Sequence, residues 1–98
     1  MPLKSPRRTD PDPITLGAEA LRLLAEEPER LARFMTLSGL GPADLRRLAA
    51  EPAFLGSVLS YVREDESLLL VLAAQLGVDP MAFAVAERAL TGADDGSA

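Results

Sequence analysis

Prolines constrain this chain more than any other feature. Pro13, Pro28, Pro42, Pro52 and Pro80 each open a stretch whose apolar residues recur at three- and four-residue spacing. Proline suits the first helical position, because its missing N–H would be unpaired there anyway and its φ is already helical. Asp12 and Asp79 precede two of these prolines as N-caps, and Gly41 precedes a third. Gly39 and Gly77 fall where a left-handed C-cap would end a helix. The punctuation therefore predicts six short helices, at about 13–26, 28–38, 42–50, 52–63, 66–76 and 80–91.

The apolar periodicity assigns each helix an inward face. Helix one turns Ala20, Leu21, Leu24 and Ala25 inward, helix two Leu31, Phe34 and Met35, and helix three Leu45, Leu48 and Ala49. Helix four offers Phe54 or Leu55 with Val58, Leu59 and Val62, and helix six Phe83, Ala86 and Leu90. Helix five is apolar nearly all round, the signature of a bundle's buried centre. No segment alternates with period two, so no sheet is predicted. The fold class is all-α, a compact bundle of five to six short helices. Aromatic residues are only 4% of the chain, so Leu, Ala and Val must build most of the core. A domain of this size without staples has a stability on the order of 5 kcal/mol.

A displacement of 38 residues lays Leu21 on Leu59, Glu26 on Glu64, Leu31 on Leu69, Gly39 on Gly77 and Pro42 on Pro80. Leu40 then meets Val78, and Leu45 meets Phe83. Two readings fit: a bundle of two three-helix halves, or two junctions that merely share turn chemistry.

The 98 residues argue for a single domain. Residues 1–12, with three prolines and almost nothing apolar, read as a disordered arm, and 92–98 as a disordered acidic tail, leaving 13–91 as the helical domain. The longest strictly apolar run, Leu68 to Ala74, is seven residues. About 20 are needed to span a bilayer. Arg7-Arg8 resembles a twin-arginine signal, but no apolar segment follows it, so a cytoplasmic protein is expected.

Two absences bound the chemistry. Without cysteine there are no disulfides, thiolate metal ligands or cysteine nucleophiles. Without histidine the commonest general base and metal ligand is missing. The serines Ser38, Ser57, Ser60 and Ser67 have no histidine partner and no nucleophile-elbow motif. Gly39-x-Gly41 leads into a proline, which removes a donor that a phosphate loop would need. A non-enzymatic protein with no cofactor is expected.

Three stretches carry binding chemistry. The first is Leu72 to Leu90, which looks like a helix-turn-helix, with Ala73 four residues before Gly77 and a second helix carrying Phe83 and Ala86 inward. Its outward residues are Asp79, Met81, Ala82, Val85, Glu87 and one cation, Arg88, an unsuitable set for reading bases. Two packed helices joined by a glycine turn explain the segment as well. The second comprises Arg30, Arg33, Arg46 and Arg47 on helices two and three, either a patch for an acidic partner or solvated surface paired with Glu26, Glu27, Glu29 and Asp44. The third, the acidic turn Glu64-Asp65-Glu66, lacks the alternating oxygen ligands of a calcium loop, and Asp65 or Ser67 fits better as a helix cap. The net charge of −5 disfavours general phosphate binding.

The expectation is a protein–protein interaction module, a monomer or weak homodimer, that contacts an unknown protein partner through Arg30, Arg33, Arg46, Arg47, Met81 and Val85. The alternative is nucleic-acid binding by the helix-turn-helix-like segment with Lys4, Arg7, Arg8 and Arg88.

The run Leu24-Ala-Glu-Glu-Pro-Glu-Arg-Leu-Ala-Arg-Phe34 opens a further pattern. It continues through Ser38-Gly-Leu-Gly-Pro-Ala-Asp-Leu-Arg46, Pro52-Ala-Phe-Leu55, Asp65-Glu-Ser-Leu-Leu69 and Gly77-Val-Asp-Pro80. Over about residues 17–90 this resembles domain-of-unknown-function family 3572, small proteins of alphaproteobacteria. The resemblance implies a compact helical fold in a bacterial cytoplasm and supplies no catalytic residue.

Overall fold

A computed structural model describes residues 11–92. The arm and tail read from the sequence lie almost wholly outside the described residues. The ends that are described belong to the fold: Asp12 caps the first helix and Gly92 closes the last.

Six helices form within this range: α1 (Pro13–Ala25), α2 (Pro28–Ser38), α3 (Pro42–Leu48), α4 (Pro52–Arg63), α5 (Glu66–Leu76) and α6 (Met81–Thr91). There is no strand among the described residues. Proline opens α1, α2, α3 and α4 as expected. Pro80 is a correction: it is the N-cap of α6, and the Asp79 carboxylate accepts from the Met81 N–H at 2.8 Å. The side chains of Asp12 and Asp65 accept from Thr15 N–H and Leu68 N–H, and so satisfy donors that a helix start leaves free. α3 stops at Leu48, two residues early, because the chain turns at once into Pro52 of α4.

α4 is the centre of the bundle, not α5. Phe54, Leu55, Val58, Leu59 and Val62 of α4 are all buried, and α1, α5 and α6 pack around it. Only Leu68, Leu72 and Ala73 of α5 are buried, while Leu70 and Val71 remain about half exposed. Helix spacing decides the outcome. α4 carries Gly56, and a Cβ there would lie 2.7 Å from Thr91 Cγ2, so the last turn of α6 lies close against α4 at this point. On its other side α4 receives Gly17 of α1, where an added Cβ would lie 2.8 Å from Leu55 Cβ. Apolar composition alone gave α5 no such approach.

The inward faces otherwise follow the periodicity, with differences at their edges. Ala20, Leu24, Phe34, Phe83 and Ala86 are buried; Leu16 and Leu23 join them, and Ala25 is exposed. Leu21, Leu31, Met35, Leu45, Leu48, Ala49 and Leu90 are only partly buried. Ala82, expected on the outer face of α6, is buried.

The 38-residue displacement holds in the backbone. α2 and α5 are both eleven residues long and start 38 residues apart. Glu27 (φ −119°, ψ 90°) matches Asp65 (φ −120°, ψ 97°), and the left-handed Gly39 matches Gly77. Leu40 N–H donates to Met35 O and Val78 N–H to Ala73 O, the same six-residue closure twice. Gly17 and Leu55, themselves 38 apart, touch each other. Equivalent residues of α1 and α4 thus meet where the two helices pack. The third helices differ: α6 has eleven residues, three of them buried, and α3 has seven and none.

Candidate partner-binding site

The four arginines read from the sequence occupy two places. On α2, Arg30 sits between Glu27 (3.6 Å) and Asp65 (3.0 Å), so it ties α2 to the start of α5. Tyr61 OH donates to Arg30 O at 3.4 Å, and its ring packs edge-on against Phe34. Arg33 is exposed on the same helix, over a hollow lined by Tyr61 and the acidic turn Glu64 to Ser67. The acidic turn has a structural use: Asp65 is held below the usual carboxylate range, first by the Leu68 N–H it caps and then by Arg30. Among the described residues no three acidic side chains converge to hold a metal ion.

On α3, Arg47 pairs with Asp44 at 2.9 Å. Asp44 also accepts from Gly41 N–H at 3.0 Å, and that bond, followed by Arg47, lowers its carboxyl from the ordinary range. Arg46 points elsewhere, over a groove between α1 and α3. It forms no ion pair with another described residue. The structure thus brings Arg30 and Arg33 together at one hollow and sets Arg46 and Arg47 on one short helix, with Arg46 at a different hollow.

Met81 and Val85 form a third place, one turn apart on α6 and exposed by 67% and 46%. α5 and α6 meet at 97° across the Gly77 turn, within the range of helix-turn-helix geometry. Arg88 is exposed near Arg63 and Glu87, which bridge α4 to α6. The outward side of α6 therefore offers Met81, Val85 and one cation, Arg88, which forms no ion pair with another described residue. Lys4, Arg7 and Arg8 lie outside the described residues.

Sequence reasoning missed the groove between α1 and α3. Ala18, Leu21, Ala25, Leu45 and Ala49 line it, with Arg22 and Arg46 at its edges, and its volume is about 280 Å³. Periodicity placed Leu21, Ala25, Leu45 and Ala49 in the core. They face one another across a gap because α3 is too short to close on α1.

No single described helix is long and apolar enough to cross a membrane. The described residues define a small all-α protein of six helices. Residues 11–93 match the model of the family described as "Protein of unknown function (DUF3572)", and the chain belongs to that family. No curated protein and no solved structure matches it.

Proposed function

We propose that the protein is a non-enzymatic module that holds a partner protein on its helical surface. One observation carries this reading: large apolar side chains stand outward on consecutive helices, Leu70 and Val71 on α5 and Met81 and Val85 on α6. Water-exposed apolar area of this kind gains free energy when a partner covers it. Arg33 and Arg46 form no ion pair with another described residue and suit a partner's carboxylates, whereas Arg30 and Arg47 are engaged by Asp65 and Asp44.

The test is affinity capture of the tagged full chain from its native lysate, with and without nuclease. The expected result is a protein retained in both arms and lost with Met81→Asp plus Val85→Asp, while the thermal melt is unchanged. Capture that survives every surface change refutes the reading. Capture that vanishes with nuclease transfers the function to nucleic-acid binding through α6 and the basic residues Lys4, Arg7, Arg8 and Arg88.

A further inference from the structure

The internal repeat makes the α1–α3 groove the counterpart of a filled contact. In the second half, α6 lies on α4: its last turn covers Gly56, and Arg63 bridges to Glu87. The residues 38 positions earlier are Ala18, Ala25 and Ala49, and all three line the open groove. The first half therefore lacks both the covering turn and the clamping ion pair. The covering turn is absent because Pro52 and Ala53, the counterparts of Leu90 and Thr91, already belong to α4.

Charge differs between the halves in a directed way. Ser60 of α4 and Ala84 of α6 stand 38 positions after Arg22 and Arg46 of the open groove. Arg22 is engaged by Glu19 and Glu26 at 2.7 and 3.1 Å, and Arg46 has no such partner among the described residues. An apolar floor of small residues with a guanidinium at its edge that no described residue engages is complementary to an apolar helix face flanked by carboxylate.

Resting on the interaction reading above, we infer that the α1–α3 groove receives one amphipathic helix of a partner protein, with small and medium apolar residues inward and an acidic residue paired to Arg46. The occupant takes the position that the last turn of α6 holds on α4.

The test uses the isotope-labelled full chain and a synthetic helical peptide of about 14 residues with Leu and Ala on one face and Glu on its flanks. A matched peptide carries Lys in place of Glu. The expected result is amide shift changes at Leu21, Leu45 and Ala49 with the Glu peptide only. Arg46→Glu weakens binding about tenfold, the effect of one charge-assisted contact. Ala25→Arg at an exposed position, with Ala49→Glu at a partly buried one, rebuilds the second half's ion pair, closes the groove and abolishes binding. Shifts confined to Met81 and Val85 overturn the groove and leave the interaction reading standing. No shift with either peptide at millimolar concentration overturns the groove. Movement of the groove signals on Asp94→Asn with Asp95→Asn, in the absence of peptide, assigns the groove to the chain's own acidic segment and overturns it as well.

Discussion

Gly17→Ala is the substitution whose outcome most directly tests the contact between the halves. In an isolated helix the change is favourable by about 1 kcal/mol, since alanine restricts the unfolded chain and glycine does not. Here the new Cβ would lie 2.8 Å from Leu55 Cβ, with Leu55 O at 3.5 Å. Leu55 is fully buried, and its Cβ is fixed to the backbone of α4, so no rotamer change relieves the overlap. α1 and α4 must separate, and overpacking of this kind costs about 1–3 kcal/mol. An overlap against near-backbone atoms belongs at the upper end, so the net expectation is about 1–2 kcal/mol of destabilisation. For a domain of this size that lowers Tm by about 5–15 °C. Urea and thermal melts followed by circular dichroism measure it. A Gly17→Ala protein as stable as the parent would refute the close approach of these equivalent residues.

Gly56→Ala gives a contrasting result, because the obstacle, Thr91 Cγ2 at 2.7 Å, is a side-chain tip. Turning it breaks the Thr91 hydroxyl bond to Glu87 O (2.9 Å), which costs about 1 kcal/mol and cancels the helix-propensity gain, so urea midpoints should hardly move. Placing Gly56→Ala in a Thr91→Ala background should then stabilise by comparison with Thr91→Ala alone. Phe83→Ala empties the fully buried centre of α6 and should cost about 3–5 kcal/mol, most of the domain's stability. Its counterpart Leu45 is only partly buried, so Leu45→Ala should cost well under half of that in the same urea assay. Asp44 and Asp65 have folded pKa values below the ordinary aspartate range, so the unfolded chain binds more protons in acid. Their contribution is complete above the unfolded value of about 4 and is lost as pH falls through the lower folded values. Asp44→Asn with Asp65→Asn should flatten the melting temperature between pH 5 and acid, and an unchanged slope would count against both caps.

The fold was largely legible because punctuation and periodicity act locally. Pro13, Pro28, Pro42 and Pro52 each mark a helix start within one residue, and Gly39 and Gly77 close α2 and α5 where left-handed caps were expected. What was not legible depends on pairs of distant residues. Nothing in the composition of α5 says that α4 will displace it from the centre. That follows from Gly17 and Gly56, whose missing side chains admit neighbours on two sides of α4. Likewise Ala25 and Ala49 look like core residues until the 38-residue displacement sets them beside Arg63 and Glu87. The arginines were legible as charges but not as a site. Whether a guanidinium is engaged depends on partners such as Asp65, 35 residues from Arg30.

The two halves share one backbone plan but not one stability, and hydrogen exchange should separate them. α6 buries Ala82, Phe83 and Ala86 and is clamped to α4 by the Arg63–Glu87 pair. α3 has seven residues, none of them buried, and the gap on its α1 side leaves Leu45 and Ala49 only partly covered. Opening α3 therefore exposes little apolar surface that is not already exposed, so its free energy of opening falls far below that of the whole domain. Amides of α3 should exchange in a local event that denaturant scarcely accelerates, while those of α4 exchange only on global unfolding. Filling the groove with a helix face would supply the missing contacts and slow α3 selectively. Amides of α3 protected as strongly as those of α4 in the free protein would show that the first half is already closed, and would remove the physical reason for the groove to take a partner.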